Sequence, residues 1–180
     1  MERLRLATIW LGGCSGCHMS FLDLDEWLIE LGQFADIVFT PFADIKEYPP
    51  DVDVVLVEGA VANEDHLKFI QHVRERTKTV ISFGDCAVTG NVTSLRNPIG
   101  SALPVLERSY VELADVAPGI PDEAGIVPRL LDRVQPVHEV VPVDLFMPGC
   151  PPAADLIKKT LDAYRRKMIP HFEGREIKFG

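Results

Sequence analysis

Short apolar runs alternate with longer amphipathic segments, and this alternation constrains the fold more than any other feature of the chain. Helical segments of ten or more residues between apolar runs are typical of parallel βαβ units. The sequence therefore predicts an α/β fold: a doubly wound parallel sheet with helices on both faces. The predicted strands cover residues 4–11, 36–40, 53–59, 78–85 and 141–149.

Three segments, 17–32, 63–77 and 151–168, have the spacing of amphipathic helices. Asn63 is predicted to cap the second helix, because its side chain can accept a hydrogen bond from the first turn. Pro151 is predicted to open the third, since proline is favoured in the first turn of a helix.

The order and length of these elements resemble a flavodoxin-like domain, so residues 1–180 are predicted to form one such domain. Residues 86–128 are rich in Gly, Pro, Asn and Thr and are predicted to be a long irregular insertion. Short helices are expected near 101–110 and 126–134. The tail, 169–180, has little periodicity and is predicted to be extended.

The charge balance excludes several classes of function. The chain has 180 residues and a formal net charge of −9, which disfavours non-specific binding to nucleic acid or an anionic membrane. No apolar run approaches the roughly 18 residues that span a bilayer. The N-terminal MERLRLATIWLGG ends in a Gly–Cys turn and not in a small-residue cleavage site. We therefore expect a cytoplasmic protein with no nucleic-acid or membrane partner.

The four cysteines of the chain all fall just after predicted strands. Cys14 follows the first strand, Cys86 follows the fourth in SFGDC, and Cys150 follows the fifth in LFMPGC. Cys17 lies one helical turn beyond Cys14. The loops after parallel strands emerge at one edge of the sheet, where doubly wound folds place ligands. The four thiols are therefore expected to meet.

Four thiols on glycine-rich loops suit a [4Fe–4S] cluster, because glycine lets the backbone approach closely and free N–H groups can donate to cluster sulfides. A zinc ion could use the same ligands, although structural zinc usually takes paired C-x-x-C knuckles. A redox dithiol would not recruit two further cysteines. The predicted site is one [4Fe–4S] cluster on Cys14, Cys17, Cys86 and Cys150, with zinc or a dithiol as alternatives.

The segments WLGGCSGCHMSFLD, VEGAV, FGDCAVTGNV and VDLFMPGCPP resemble the small subunit of [NiFe]-hydrogenases, in the cytoplasmic NAD-reducing group. The resemblance implies that the four cysteines hold the cluster nearest to a nickel–iron centre in a separate large subunit. Electrons would leave that centre singly, through this chain, to diaphorase subunits with FMN and iron–sulfur clusters that reduce NAD. This chain would be the electron relay of an oxidoreductase and would contain no catalytic residue.

Other families and another class of function remain open. F420-reducing and sulfur-reducing hydrogenases have similar small subunits, and respiratory complex I has a related cluster-bearing subunit. That relative carries adjacent cysteines at the first site, so C-S-G-C favours a hydrogenase. A non-redox scaffold, in which zinc or a cluster only shapes an interface, is the alternative from a different class.

Three further residues are predicted near the cluster. Glu58 ends the third strand at the same edge and either positions the site, relays protons or caps a helix. His18 adjoins Cys17 as a donor to the site or as a packing residue. Thr89 follows Cys86 and could donate near its loop or meet the partner.

FMN is not expected in this chain, although flavodoxin-like folds bind it at this edge. The loop after the first strand has the sequence GGCSGC, whereas a phosphate-binding loop would be rich in Ser and Thr. A large-subunit partner is expected for an electron carrier and for a scaffold alike, because the loops of residues 91–128 and the cluster edge need to be covered.

Overall fold

The computed structural model describes residues 3–179, and its strands lie close to the apolar runs of the sequence. β-Branched and other apolar residues fill them, as expected for strands that are buried on both faces. In chain order the strands are β1 (Leu4–Trp10), β2 (Ala35–Phe39), β3 (Val52–Glu58), β4 (Val61–Asn63), β5 (Thr77–Phe83), β6 (Leu130–Gln135) and β7 (Leu145–Met147).

Helices occupy most of the connections between strands. The Asn63 side chain accepts a hydrogen bond from the His66 N–H at 2.8 Å, which confirms the predicted cap. In chain order the helices are α1 (Gly16–Leu22), α2 (Trp27–Phe34), α3 (Glu64–Glu75), α4 (Asp85–Thr89), α5 (Leu103–Glu107) and α6 (Ala154–Arg165).

Five strands form one parallel sheet in the order β2-β1-β3-β5-β7. This is the flavodoxin-like strand order, whose switch point lies between β1 and β3. It confirms the predicted doubly wound α/β fold. The register aligns Trp10, Glu58, Phe83 and Met147 in one row at the ends of their strands. We call this row, with the loops that follow it, the carboxyl edge, and the opposite row of strand starts the amino edge.

Each face of the sheet carries its own hydrophobic core, because successive side chains of a strand point to opposite faces. Leu6, Leu56 and Phe83 belong to the core that α1, α2 and α6 cover. Val55 and Val80 belong to the core on the other face, which α3 covers. The prediction of helices on both faces is therefore confirmed.

The single helix predicted for residues 17–32 is wrong: two helices, α1 and α2, occupy this region. Between them Asp25 has a φ of 49°, a left-handed conformation that the short side chain of aspartate tolerates. Leu24 and Trp27 are both buried in the core on either side of this turn. The break lets both helices pack on one face of the sheet, and helical periodicity does not reveal it.

The helix predicted near 126–134 is also wrong. This segment forms β6, which pairs antiparallel with β4 in a separate two-stranded sheet. Its apolar residues have helical spacing, but its hydrogen-bond partner lies far away in the sequence. The helix predicted near 101–110 is present as α5, and a 3₁₀-helix spans Asn91–Ile99 before it.

The last strand and helix are shorter than predicted. β7 spans only Leu145–Met147, and α6 begins at Ala154 after the two prolines. A residue before proline is disfavoured in the helical region, so Pro151 cannot open a helix that continues through Pro152. Within residues 3–179 no helix combines the length and apolarity needed to cross a bilayer.

Candidate metal centre at the carboxyl edge

The carboxyl edge carries all four cysteines. Cys86 and Cys150 each come three positions after the last residue of β5 and β7, and Cys14 lies in the loop after β1. Cys17 is in the first turn of α1. All four thiols are free; Cys17 and Cys86 are buried, whereas Cys14 and Cys150 are exposed. The site is therefore half embedded and half open to a partner or solvent.

Glycine brings the cysteine loops into contact. Gly84 has a φ of 86°, and a Cβ at this position would lie 2.1 Å from the Cys17 sulfur. No side chain fits there, so glycine is required for α1 to approach the end of β5. A Cβ on Gly16 would lie 3.3 Å from the Cys14 sulfur. The backbone thus lies close to the Cys17 sulfur at Gly84 and to the Cys14 sulfur at Gly16.

Asp85 joins the loop of Cys86 to the loop of Cys150. The Asp85 N–H donates to the Gly149 carbonyl at 2.9 Å, and the Gly149 N–H donates to the Asp85 carboxylate at 2.7 Å. The Ser20 hydroxyl donates to the Pro152 carbonyl at 2.6 Å, which ties α1 to the same loop. These bonds hold three separate chain segments in one arrangement.

The thiols influence each other electrostatically. Burial, then the negative charge of Glu58, and then the other three cysteines raise the pKa of Cys17 far above its ordinary value. Burial, followed by Cys14 and Cys150, raises the pKa of Cys86 to about 11. Both groups are therefore neutral thiols at pH 7, and a metal that bound them would displace their protons.

Glu58 and His18 form a buried pair directly behind Cys17. Each is 1 % exposed, and the Glu58 carboxylate accepts a short hydrogen bond from His18 Nδ1. The same carboxylate accepts the N–H of His18 at 3.0 Å and the N–H of Cys17 at 3.4 Å. Glu58 therefore caps the first turn of α1, which is one of the roles that the sequence left open.

The other side of the His18 ring is also bound. Its Nε2 lies 3.0 Å from the Thr8 hydroxyl, which lies 2.9 Å from the Thr40 hydroxyl. Phe42 and Phe83 pack edge-on against the ring. Contacts on every side thus fix the orientation of the imidazole, and through it that of the carboxylate.

Two polar side chains near α4 have different surroundings. The Thr89 hydroxyl donates to the Asp85 carbonyl one turn back in its own helix, at 2.9 Å, so its hydrogen does not reach a sulfur atom. The Asn91 amide donates to the Cys150 sulfur at 3.6 Å. Thr8 and Ser20 were missed by the sequence analysis, because a buried hydroxyl has no local sequence signal.

The residues present fit a four-thiolate cluster. The donors are four free cysteines, and glycines clear space beside two of the sulfur atoms. Within residues 3–179, no three Cys, His, Asp or Glu side chains stand close enough to hold one metal ion. A single zinc ion would draw all its sulfur ligands to about 2.3 Å from one point.

The fold and this site define a class of protein: a doubly wound α/β domain whose cysteines gather at the ligand-binding edge. A family model described as NADH ubiquinone oxidoreductase, 20 Kd subunit, matches residues 14–164. The chain belongs to this family, and within it to the hydrogenase small subunits.

Similar proteins include subunits of two kinds of hydrogenase. The NAD-reducing hydrogenase HoxS subunit delta of Cupriavidus necator is 40% identical over 164 residues, which cover 89% of this chain and 78% of that protein. A subunit of the F420-non-reducing hydrogenase of Methanothermobacter thermautotrophicus is 38% identical over 169 residues, or 90% of this chain and 53% of that protein. This chain thus spans about half the length of the methanogen relative.

A solved structure of an NAD+-reducing [NiFe]-hydrogenase in the H2-reduced state contains a chain of the same fold. It superimposes with a TM-score of 0.93 at 32% identity, over 99% of both chains. The similarity therefore extends over the whole domain, including the insertion and the tail.

Proposed function

We propose that this chain is the electron-transfer small subunit of an NAD-reducing [NiFe]-hydrogenase and holds one [4Fe–4S] cluster on Cys14, Cys17, Cys86 and Cys150. The gathering of four free thiols at the carboxyl edge carries the proposal. Such a cluster, when bound, supplies reversible one-electron transfer at a potential set by its surroundings.

The rest of the chain holds the ligands and excludes water on one side. Cys17, in α1, and Cys86, in α4, are buried, whereas Cys14 and Cys150 are exposed. An electron carrier needs this asymmetry, because it must be insulated by its own fold and open toward the next carrier. Asp85 supports the arrangement by fixing the distance between two cysteine loops.

A cluster fits the site better than zinc does. The ligands of a [4Fe–4S] cluster bind four different iron atoms, so their sulfur atoms are further apart than around one ion. The thiols raise each other's pKa, and only Cys14 and Cys17 are close in sequence, whereas structural zinc usually takes paired C-x-x-C knuckles. This ligand pattern favours electron transfer over a zinc scaffold.

A large subunit with the nickel–iron centre is the proposed partner. Several exposed apolar side chains follow Asn91 in the sequence, and the Asn91 amide contacts the Cys150 sulfur. Large exposed apolar patches mark protein interfaces. The exposed apolar side chains include Val92, Leu95, Ile99, Leu103, Tyr110 and Leu113.

NAD is the proposed final acceptor, through diaphorase subunits with FMN and further clusters. Similarity to HoxS subunit delta at 40% identity supports this assignment. The second candidate is a hydrogenase that does not use NAD, and the 38% identity to a subunit of an F420-non-reducing hydrogenase favours it. The absence of FMN from this chain and its cytoplasmic location stay predictions from the sequence.

Metal analysis of the full chain, purified without oxygen, tests the cluster. We expect about four iron and four acid-labile sulfide atoms per chain, and an electron paramagnetic resonance signal on reduction. Cys86→Ser removes one ligand and should lower the iron content and abolish the native signal. Zinc at one equivalent, or iron that cannot be reduced, would instead support the scaffold.

Ser82→Ala is the matched control, because Ser82 lies on the strand that leads to Cys86. Its hydroxyl is buried and has no hydrogen-bond partner among residues 3–179, so alanine should leave iron, sulfide and signal unchanged. The partner chains that purify with the wild-type protein identify the acceptor. Chains that reduce NAD support the proposal, and their replacement by an NAD-independent module supports the second candidate.

A further inference from the structure

The buried pair of Glu58 and His18 has no assigned role in electron transfer, and it stands next to two of the cysteines. The carboxylate accepts the N–H of Cys17 and contributes to the raised pKa of both Cys17 and Cys86. Burying a carboxylate is costly unless it is paired and hydrogen-bonded. A protein that needed only to cap α1 could use a Ser or Asp at the cap position, as most helices do.

The position that would ordinarily cap α1 contributes nothing. Ser15 precedes the helix, but its hydroxyl bonds to the Cys14 carbonyl and caps no N–H group. The first N–H groups of α1 go instead to a carboxylate that comes from β3, forty residues away in sequence. Glu58 is thus the side chain that satisfies the N–H groups of Cys17 and His18 at the start of α1.

Hydrogen bonds to the sulfur atoms and nearby charges both set the reduction potential of an iron–sulfur site. N–H donors stabilise the extra electron, whereas a nearby negative charge opposes it. Glu58 disfavours reduction through its charge. It accepts the N–H groups of Cys17 and of His18, and it places a carboxylate beside Cys17.

His18 keeps the carboxylate in this position. A carboxylate only accepts hydrogen bonds, so His18 Nδ1 carries the hydrogen between them, and the Thr8 hydroxyl fixes the opposite nitrogen. The pair is 1 % exposed on both sides. Burial and these hydrogen bonds hold both side chains in one orientation, so the carboxylate stays beside Cys17.

We propose that Glu58, held by His18, is a positioning residue that makes the four-cysteine site harder to reduce. It does so by fixing a negative charge beside Cys17, where its carboxylate also accepts the N–H groups of Cys17 and His18. This inference rests on the proposed electron-transfer function. It gives the site a feature that keeps its potential low, as exchange of electrons with hydrogen requires.

The test is a redox titration of the full chain, purified without oxygen and followed by electron paramagnetic resonance. Glu58→Gln keeps the shape of the side chain and removes its charge. We expect reduction to become about ten-fold more favourable, as for one charge removed several ångströms away in a partly buried site. Ten-fold corresponds to about 59 mV for one electron.

Asp53→Asn is the matched control, because it makes the same change of charge on the same strand. Five residues of extended chain place Asp53 about 16 Å from Glu58, at the amino edge, so the potential should not move. Glu58→Asp keeps the charge but moves it away from Cys17, because the side chain is shorter. We expect reduction to become about two- to three-fold more favourable. It also serves as the test if Glu58→Gln does not retain its cluster.

The outcomes separate this inference from the proposed function. A wild-type protein without a reducible cluster would remove both. A reducible wild type in which Glu58→Gln and Glu58→Asp titrate like Asp53→Asn overturns this inference alone. A lower melting temperature of the Glu58 variants without any change in potential also overturns it, because a purely structural role predicts that result.

Discussion

Strand β3 carries one acidic side chain near each end, and the two lie in opposite environments. Glu58, at the carboxyl edge, is 1 % exposed and bonds to His18 and to two backbone N–H groups. Asp53, at the amino edge, accepts hydrogen bonds from Lys78 and from the Arg5 N–H at 2.7 and 2.8 Å. The Lys78 side chain of that pair is 70% exposed.

The two carboxylates of β3 therefore differ in what they contribute to the protein. An exposed ion pair contributes little to stability, because water solvates both charges well when they are apart. A buried pair is costly to form and costly to break. The amino edge is therefore a solvated boundary of the fold, whereas the carboxyl edge holds a buried pair whose loss leaves uncompensated polar groups.

Removing each carboxylate in turn should give the largest difference in the free energy of unfolding. Glu58→Ala leaves His18 Nδ1 and two N–H groups buried without an acceptor, and should lower the free energy of unfolding by about 3–5 kcal/mol. Asp53→Ala breaks an ion pair whose Lys78 side chain is exposed and removes the acceptor of the Arg5 N–H, and should cost about 1–2 kcal/mol. Urea unfolding of the two variants measures both values. Equal losses would mean that the two edges do not differ as described.

A smaller difference in stability is expected between alanine substitutions at two glycine positions. Gly84 and Gly100 have similar φ values, 86° and 80°, but a Cβ would contact the Cys17 sulfur only at Gly84 and meets nothing within 4 Å at Gly100. Gly100 has a ψ of −9° and is left-handed, a conformation in which alanine costs about 1–2 kcal/mol. Gly84 has a ψ of 161°, in a region that is essentially restricted to glycine. Gly84→Ala should therefore cost about 1–3 kcal/mol more than Gly100→Ala, because its backbone is more strained and because the added methyl group overpacks the site.

Thermal unfolding and iron content together decide this second prediction. Iron should fall only in Gly84→Ala, because the displaced Cys17 sulfur is a proposed ligand, whereas Gly100→Ala serves as the matched control. Iron retained in full by Gly84→Ala would show that the close approach of α1 to β5 is not needed for the site.

The smallest effect concerns acid stability at the amino edge. Burial alone would raise the pKa of Asp53, but the hydrogen bonds from Lys78 and Arg5 and their charges lower it below its usual 3.8. The pairing therefore stabilises the fold above about pH 3.8, and this contribution disappears as the pH falls through the lower pKa of the folded state.

Unfolding of the wild type and of Asp53→Asn at a series of pH values measures this contribution. The wild type should be more stable near pH 6, and the difference should shrink below pH 3.8. A difference that stays constant down to pH 2.5 would mean that the folded state does not depress the pKa of this carboxyl group.

The sequence predicted well whatever depends on periodicity and on strand direction. Unbroken apolar runs indicated buried parallel strands, and the strand order of the sheet is the predicted flavodoxin-like one. The placement of Cys86 and Cys150 just after strands indicated one edge, because parallel strands all point the same way. The ligand roles of the four cysteines stay a prediction until iron is measured.

Features that depend on distant partners were predicted less well. The segment Leu130–Gln135 has helical spacing but forms a strand, because β4 offers it hydrogen bonds. The break at Asp25 follows from the need of two helices to pack on one sheet face. In both places tertiary contacts outweighed a local pattern, which is a weak preference on its own.

By itself the sequence determined the class of the fold and the edge at which four cysteines lie, since strand periodicity and chain direction are properties of neighbouring residues. Only the tertiary structure decided what Glu58 and His18 do. Forty positions separate them, and either residue alone has several ordinary roles. The two residues form a pair only because β3 and α1 bring both into a buried space. A carboxylate there must be hydrogen-bonded by other groups of the protein.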